Sequence, residues 1–539
     1  MSPRTGGAYR AASLFLVTLV LVVVVFPLAI ALVEVVAGLA GTSPAAPAAT
    51  WRTLFSPQVL VNTFAWPLGI GVVATALAWP AAWAIRRRGA SLIPWMLVPL
   101  SMPAYLAYSG YGLIRAPGTL IGDWLERAAH GGWPAAPFIA GQVLAFIGMC
   151  LWAWPIPALV LGWSASKVDA AILDSLAIDR AGPLRRFTTL AAILKIPVIS
   201  SIALVALVML GSAVPLHLAQ VPTWSIKLWF ALDNSALSER WRIWMLSLPL
   251  VAAAAVAAWM VVRAAARPSV LGLDVDRGRF MRGRSWIVVF IASTLVPLAC
   301  FAWSLRRAES LREFWRTSTS AAGWTSLVAL HVAFLGMLIG ASVWFLMSAR
   351  PNSRVPRLCV VLLTTAGLIP GVILGSAVNQ AWLKWEQTRP IADSYWVIVL
   401  AHAARFCWIP AWVGCLLAGA EQVDRRHQRL IDGAAGLKGW WIAAARPGAG
   451  ILAAASIFAG LMSVHEIEST VLVQPPGIDG LARQILQFLH FSRMEELSAA
   501  SVWMIGGGLA AAALTAWATR RSLANRATPD RALPTVNES

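Results

Sequence analysis

Two polar landmarks recur at almost the same interval in a chain that is otherwise strongly apolar. Val168-Asp169 opens a basic stretch between two apolar segments, and Val423-Asp424 opens another 255 residues later. Residues Leu216–Pro222 (LHLAQVP) are echoed 254 residues later by Thr470–Pro476 (TVLVQPP). A repeat of this length in an apolar chain predicts two fused, structurally equivalent membrane halves. Such halves usually enclose a path along their shared axis, so transport is the first functional hypothesis.

The composition requires a bilayer as the solvent. Hydrophobic residues make up 59% and charged residues 12% of the 539 residues, whereas an ordinary soluble domain has about 25% charged residues. A bilayer-spanning helix needs roughly 20 apolar residues. The first apolar run, Ala11–Ala40, is too long for the core of a signal peptide and predicts an uncleaved span. In all, the sequence predicts twelve spans, near residues 13–36, 61–84, 91–114, 138–163, 197–219, 243–265, 286–305, 325–348, 357–382, 395–419, 448–472 and 499–518.

The net charge of +19 follows from orientation in the membrane. With the N-terminus in the cytoplasm, the cytoplasmic connections carry about twice as many Lys and Arg residues as the outer ones, which is the positive-inside pattern. Both termini are then predicted to be cytoplasmic. The same pattern explains the basic balance without nucleic-acid binding, which we therefore exclude.

The basic midpoint segment predicts the domain organisation. We expect a first six-span half at 1–266, a cytoplasmic linker at 267–285, a second six-span half at 286–520 and a disordered cytoplasmic tail at 521–539. No sequence of the form GxxxxGK[ST] occurs, so energy from ATP would have to come through a partner. The five Cys residues lie in apolar spans without CxxC spacing, which predicts neither a disulfide framework nor a zinc site. We expect no metal and no cofactor.

Two charged cytoplasmic loops occupy equivalent places in the two halves. In loop A (165–196), acidic residues precede basic ones, which favours a short helix that Gly182-Pro183 then ends. Loop B (421–446) repeats the amphipathic character before a glycine-rich turn. Such a helix suits a groove on another protein, whereas the alternative, a lipid-surface anchor, does not need matched Asp–Gly patterns. The candidate docking residues are Asp169, Asp174, Ala177 and Gly182 in loop A, and Asp424, Asp432, Gly433 and Gly436 in loop B.

These loops resemble the coupling motif of the membrane permeases of binding-protein-dependent ABC importers, EAA-x3-G-x9-I-x-LP before the fifth span. In loop A, Asp174–Ala177 resembles the start of the motif, and Gly182 and Leu194–Pro197 resemble its glycine and its closing LP. In loop B, Asp432–Ala435 and Pro447 are the counterparts, without a Glu-Ala-Ala run. The resemblance implies an all-α permease of the type I ABC importer class in a bacterial inner (plasma) membrane. It also implies two copies of an ATPase subunit at the loops and a separate extracytoplasmic solute-binding protein.

A second stretch is similar to the fused, double-length permeases of the ferric-iron, thiamine and polyamine type. From Val464 the chain reads VHEIESTVLVQPPGIDGLARQILQFLHFSR, and the first half offers SAVPLHLAQVPTWSIKLWF as its counterpart. Ser212 stands where that family often carries Asp. The resemblance covers about residues 55 to 520 and implies ferric iron as the first candidate solute, ahead of thiamine, a polyamine or another small solute.

Polar residues inside the predicted spans are the candidates for the translocation pathway. A carboxylate in lipid costs at least ~2.5 kcal/mol and must face protein or a wet cavity. Glu466, Glu468 and neighbouring His465 are therefore predicted either to line or gate the pathway, or to contact the other half at Gln220 or His217. Arg405 is predicted to pair with an acid or to snorkel, and pairing is favoured. The other pathway candidates are Ser212, Gln220 and Gln474, although Gln220 and Gln474 also suit outer turns.

Three functions remain open from the sequence. The favoured one is the pathway subunit of an ABC importer, which catalyses no bond chemistry itself. The second is a secondary transporter with two six-helix halves, in which Glu466 or Glu468 carries a proton. The third, a membrane scaffold or lipid-modifying enzyme, has no nucleophile–base set or metal cluster in the loops to support it.

Overall fold

The computed structural model describes residues 3–41, 51–52, 56–179, 182–234, 239–265, 285–421, 423–432, 434, 436–446 and 448–524. Across these residues the chain is helical and contains no β-strand, which confirms the predicted all-α class. The predicted linker at 267–285 lies outside the described residues except for Ser285, and so does the predicted tail from residue 525 onward. Residues 521–524 are helical, so the last helix continues past the predicted end of the second half.

The first half begins with two helices joined by a π-helical turn and ends with a long helix. Short 3₁₀ turns at Gly89–Leu92, Val98–Ser101 and Leu113–Arg115 join some of its helices. Its α-helices are α1 (Pro3–Val20), α2 (Phe26–Ala40), α3 (Pro57–Arg88), α4 (Ile93–Leu97), α5 (Ala104–Gly112), α6 (Leu120–His130), α7 (Ala136–Ala153), α8 (Pro155–Ala165), α9 (Ala170–Ile178), α10 (Pro183–Ile193), α11 (Lys195–Leu210), α12 (Ala213–Leu218), α13 (Trp224–Asn234) and α14 (Arg240–Ala265).

The second half repeats this order of elements, with a longer core helix after its first span. A 3₁₀ turn at Glu386–Thr388 and a π-helical turn at Trp441–Ala445 interrupt it. Its α-helices are α15 (Ser285–Phe290), α16 (Val296–Ser304), α17 (Glu309–Ala349), α18 (Arg354–Leu368), α19 (Gly371–Leu383), α20 (Arg389–Ala392), α21 (Trp396–Phe406), α22 (Trp408–Ala420), α23 (Val423–Ile431), α24 (Leu437–Trp440), α25 (Ala449–Val464), α26 (Thr470–Val473), α27 (Leu481–His490) and α28 (Met494–Ala524).

The first membrane helix of each half contains the same irregular turn. Leu21–Val25 and Ile291–Leu295 are π-helical, and a proline, Pro27 or Pro297, follows in the first turn of the next α-helix. Proline has no N–H, and its ring crowds the carbonyl group one turn earlier, which favours a local bulge. The recurrence of this feature in both halves agrees with the sequence repeat.

Seven helices among the described residues are long and apolar enough to cross a bilayer, or eleven spans if each of four bent helix pairs counts as one. The predicted count of twelve is not confirmed. The seven are Gly7–Ala40, Pro57–Arg87, Ala136–Ala165, Arg240–Arg263, Ser285–Ser304, Glu309–Ala349 and Met494–Trp517. The bent pairs are Leu184–Ile193 with Lys195–Leu210, Arg354–Leu368 with Gly371–Leu383, Trp396–Phe406 with Trp408–Ala420, and Leu437–Ala445 with Ala449–Val464.

The difference from twelve lies in the predicted span at 91–114. Apolar composition predicts one helix there, but the structure has two short helices, with a 3₁₀ turn before, between and after them. The segment contains three prolines, Pro94, Pro99 and Pro103. A proline inside a helix removes a hydrogen bond and clashes with the preceding turn, so the apolar composition alone predicted a longer continuous helix than the chain forms. The indole Nε1 of Trp152 donates to the Met102 carbonyl oxygen at 2.7 Å and satisfies a backbone group at the break.

The two halves are interlocked. α2 of the first half packs on α19 of the second, and α16 of the second half packs on α5 of the first. An ion pair of 2.8 Å between Lys384 Nζ and Glu34 Oε1 reinforces the first of these contacts. The first span of each half therefore packs against the other half. The sequence repeat did not predict this exchange.

Inside the second half, glycines allow the core helices to approach closely. A Cβ on Gly340 of α17 would lie 2.6 Å from the Pro410 carbonyl oxygen of α22, and a Cβ on Gly414 would overlap the Gly340 carbonyl oxygen. In lipid, helix association depends on such van der Waals contact, because no hydrophobic effect drives it between apolar surfaces. Gly340 and Gly414 therefore set the distance between α17 and α22.

We expect Gly414→Leu to destabilise the protein by about 3 kcal/mol, because its side chain meets backbone that cannot move aside. The measurement is the fraction of monodisperse protein that survives heating in detergent. Gly419→Leu is the matched control, since a Cβ at this position of the same helix meets open space. Equal thermal survival of the two variants would show that the glycine contact does not hold these helices together.

Candidate functional site

A large cavity lies between the two halves. Its volume is about 1640 Å³, and residues of both halves line it. At one end it reaches the loops, where Lys167 of loop A and Gln428 and Asp432 of loop B line it. At the other end it stops at the buried polar residues His465, Glu466 and Glu468 and the partly buried Ser212. The cavity therefore connects the two loops with the polar centre of the molecule.

The polar end of the cavity contains a buried ion cluster. Arg405 Nε lies 3.3 Å from Glu466 Oε2, and Arg405 Nη2 lies 3.5 Å from Glu468 Oε2. The predicted pairing of Arg405 with an acid is thus confirmed, and it involves two carboxylates. Two carboxylates and one guanidinium leave an excess of negative charge when both acids are ionised. Buried charges of this kind need close pairing and additional hydrogen bonds, because their desolvation costs several kcal/mol per ion.

Glu468 also joins the second half to the first. Its Oε1 accepts hydrogen bonds from the backbone N–H of Ala213 at 2.5 Å and of Val214 at 3.3 Å. The sequence predicted a polar contact with the other half at Gln220 or His217. The contact exists, but its donors are backbone groups of α12, which residue-type reasoning could not identify.

Breaks in the helices bring these side chains together. α25 ends at Val464, and the irregular segment 465–469 carries both glutamates before α26 begins. α18 and α19 meet at an angle of 111°, and Gly371 at the start of α19 faces the glutamates. A Cβ on Gly371 would lie 2.8 Å from Glu466 Oε1, so only glycine leaves room for the cluster there.

Hydrogen bonds hold the cluster in position. Glu466 Oε1 accepts from Ser469 N at 3.0 Å and from Ser469 Oγ at 3.1 Å. One helix turn before Arg405, the His402 ring bonds the Ser463 hydroxyl at 2.7 Å and the Thr470 hydroxyl at 2.8 Å. These bonds fix α21 against both ends of the irregular segment.

Four predicted pathway residues line the cavity, Ser212, His465, Glu466 and Glu468, and two others lie elsewhere. Gln220 ends α12 with a left-handed φ of 57°, while Val221 N donates to Leu216 O at 2.9 Å, a common helix ending. Gln474 Nε2 donates to Asp479 Oδ1 at 2.9 Å and to the Ile478 carbonyl oxygen. The structure places Gln220 and Gln474 in turns outside the cavity lining, because their local backbone bonds determine their position.

Loop A forms the predicted short helix, α9, and apolar contacts hold this helix in place. Leu173 and Leu176 pack with Trp83 in a small buried cluster. Arg86 Nη1 donates to the carbonyl oxygens of Ala165 and Val168 at 2.5 and 2.8 Å. The candidate residues Asp169, Asp174 and Gly182 are exposed, and Ala177 lies in α9.

Loop B forms the equivalent helix, α23, but ion pairs hold this helix in place. Arg429 Nε lies 2.9 Å and Arg426 Nε 3.3 Å from the Glu421 carboxylate oxygens. Arg426 Nη2 also donates to the Ala418 carbonyl oxygen at 2.7 Å. Asp424 and Asp432 are exposed, Gly436 precedes α24, and Gly433 lies outside the described residues.

The two loop helices present the same side chain at their ends. Ile178 is 80% exposed and Ile431 is 84% exposed, and an exposed aspartate follows each, Asp179 or Asp432. Exposed apolar side chains are common on this protein, but these two share a position, the last residue of equivalent helices. The sequence predicted Asp432 as a docking residue, but it did not predict Asp179, the two isoleucines or the anchoring residues Arg86, Glu421 and Arg429.

None of the family models, curated proteins or solved structures compared with this chain matches it. Among the described residues, no group of three or more His, Cys, Asp or Glu side chains is arranged to hold a metal ion. The features from which a function can be inferred are the ion cluster, the cavity and the paired loops.

Removing Arg405 should leave two buried carboxylates without their cation. We expect Arg405→Met to destabilise the protein by about 3–5 kcal/mol, measured by thermal unfolding in detergent. The triple variant Arg405→Met, Glu466→Gln, Glu468→Gln should recover much of this loss. No charge is then left unpaired, and the amide oxygen introduced at position 468 can still accept from Ala213 and Val214.

The exposed pair between Arg483 and Asp479 provides the control. Arg483→Met should change the stability by less than about 1 kcal/mol, since surface ion pairs contribute little. A triple variant as unstable as Arg405→Met would contradict the electrostatic role of Arg405 and indicate a packing role.

Proposed function

We propose that this chain is the membrane-spanning permease subunit of an ABC importer, which provides the translocation pathway for a small solute. One observation carries the proposal: a single cavity between two equivalent halves connects a buried ion cluster with two loops that present matching surface helices. A separate ATPase that grips both loops can change the shape of this cavity, whereas an ATPase on one loop cannot move the halves relative to each other.

In this proposal two ATPase subunits dock on the loop helices, and Ile178 and Ile431 enter hydrophobic grooves on them. ATP-driven closure of the ATPase pair draws the loops together and closes the end of the cavity near Lys167 and Asp432. Because ATP acts only through contacts that differ between the two states, the loops must bind the closed ATPase pair more tightly. The bonds from Glu468 to Ala213 and Val214 then open at the far end.

The remaining assignments belong to the same proposal. The chain lies in a bacterial inner membrane with both termini and both loops in the cytoplasm, and an extracytoplasmic solute-binding protein delivers the solute to the opposite surface. The permease performs no bond chemistry and needs no cofactor. Ferric iron is the first candidate solute, followed by thiamine and polyamines, on the strength of the sequence resemblance.

A secondary transporter is the second candidate, and the ion cluster favours it. Glu466 and Glu468 are buried carboxylates at the end of a cavity, a position from which proton carriers act in transporters. The paired loop helices favour the ABC importer over this candidate, because a transporter driven by an ion gradient does not need two matched docking sites.

The docking face can be tested with matched charge substitutions. We expect Ile178→Asp with Ile431→Asp to lower the affinity for the ATPase at least about 30-fold, because each removes an apolar anchor worth about 2 kcal/mol or more. The measurement is recovery of a P-loop ATPase with tagged protein from the native host, quantified by mass spectrometry. Leu120→Asp is the control, since Leu120 is 92% exposed and lies in α6, away from both loops. Unchanged recovery in the double variant would refute docking at these helices.

The energy source separates the two candidate functions. Purified protein in proteoliposomes should take up no radiolabelled ferric iron, thiamine or putrescine on a pH gradient alone. Uptake should require the ATPase, ATP and the binding protein together. Uptake on the gradient alone that is lost in Glu466→Gln or Glu468→Gln would favour the secondary transporter and overturn the ABC importer proposal.

A further inference from the structure

A second cavity lies against loop B, and its lining shares Trp344 with that of the large cavity between the halves. Its volume is about 440 Å³, within the roughly 300–1,000 Å³ of small-molecule sites. Met337, Ala341 and Trp344 of α17 form one wall, and Leu437, Trp440 and Trp441 form the other. Lys438 is the charged residue in this otherwise apolar lining.

The position of this cavity relative to the membrane follows from the angle between two helices. The helical segment Leu437–Ala445 makes an angle of 91° with Ala449–Val464. Because Ala449–Val464 runs through the apolar part of the second half, Leu437–Ala445 lies along the membrane surface. Leu437, Trp441 and Ile442 are exposed on it, as in amphipathic helices at the boundary between head groups and acyl chains.

The equivalent aromatic side chains of the two halves have different neighbours. Phe187 and Trp441 occupy the same position after the glycine that precedes their helices, Gly182 and Gly436. Phe187 packs edge-on against Trp79, with ring centroids 5.1 Å apart. Trp441 instead borders the cavity beside loop B.

The lining shows what kind of group the cavity accepts. Almost none of its surface is polar, because the walls are built from aliphatic, thioether and aromatic side chains. A hydrocarbon chain therefore fits the interior better than a polar solute. At the boundary between head groups and acyl chains, the hydrocarbon at hand is the acyl chain of a phospholipid.

The charge at the rim indicates which phospholipid fits. Lys438 is exposed and forms no ion pair with a carboxylate of the described residues. The exposed Arg446 follows at the end of the same helical segment. Basic residues at pockets between membrane helices attract anionic head groups.

We propose that this cavity binds one acyl chain of an anionic phospholipid, whose head group pairs with Lys438. The occupant braces loop B against α17. The proposal does not depend on the transported solute or on ATP, and its test measures lipid binding alone.

The test uses photoactivatable phosphatidylglycerol, with the reactive group in the acyl chain, in phosphatidylcholine nanodiscs that contain the full chain. We expect cross-links in the segments 337–344 and 437–452, mapped by mass spectrometry, and few with a photoactivatable phosphatidylcholine. Lys438→Gln should lower the phosphatidylglycerol signal about fivefold, the effect of one basic residue near an anionic lipid. Lys195→Gln, an exposed basic residue of loop A, should leave the signal unchanged.

A second variant fills the cavity. Ala341→Trp should abolish the cross-links, whereas Ala513→Trp on an exposed part of α28 should not. If Ala341→Trp fails to fold, as judged by monodispersity, the comparison of Lys438→Gln with Lys195→Gln still tests the proposal. Equal labelling by both lipids, no effect of Lys438→Gln, or loss of labelling on addition of glycerol 3-phosphate would each overturn the proposal, the last by indicating a site for a soluble phosphate.

Discussion

The structure depends on how backbone groups freed by broken helices are satisfied in a low-dielectric interior. Three breaks meet at the end of the cavity, before α12, between α18 and α19, and after α25. In hydrocarbon, each exposed N–H or C=O group without a partner costs several kcal/mol. The side chains of the ion cluster provide these partners. Glu468 accepts from Ala213 and Val214, Glu466 accepts from Ser469, and Arg405 Nη1 donates to the Ile369 carbonyl oxygen.

The same bonds connect the halves, and this gives the cluster two roles. It satisfies broken backbone within the second half, and through Glu468 it holds the first half at the closed end of the cavity. The proposed import cycle needs a contact that is stable in one state and released in another, and a contact between side chain and backbone across two halves meets this need. In that proposal the interlocked first spans, α2 and α16, keep the halves together while the contact changes.

Structural equivalence of the halves does not mean chemical equivalence. α9 is held by leucines against Trp83, whereas α23 is held by arginines around Glu421, yet both present an exposed isoleucine at the same end. The repeat in the sequence was visible in the loops because their polar residues recur. The anchors were not visible, since Arg86 reads as one more basic residue near a membrane surface and Arg429 as part of a solvated helix. Their function depends on carbonyl and carboxylate groups that only the folded chain brings within reach.

The sequence by itself determined that the chain is helical, that it spans a membrane many times and that it contains two related halves. Composition and periodicity decide these properties, because the bilayer allows few other solutions for apolar segments of this length. It also marked Glu466, Glu468 and Arg405, since charge inside an apolar segment requires a partner. The tertiary structure decided where the spans break, which backbone groups the charges satisfy and which half each first span covers. Those outcomes depend on contacts between residues as much as 255 positions apart, and no local pattern records which distant group will be near.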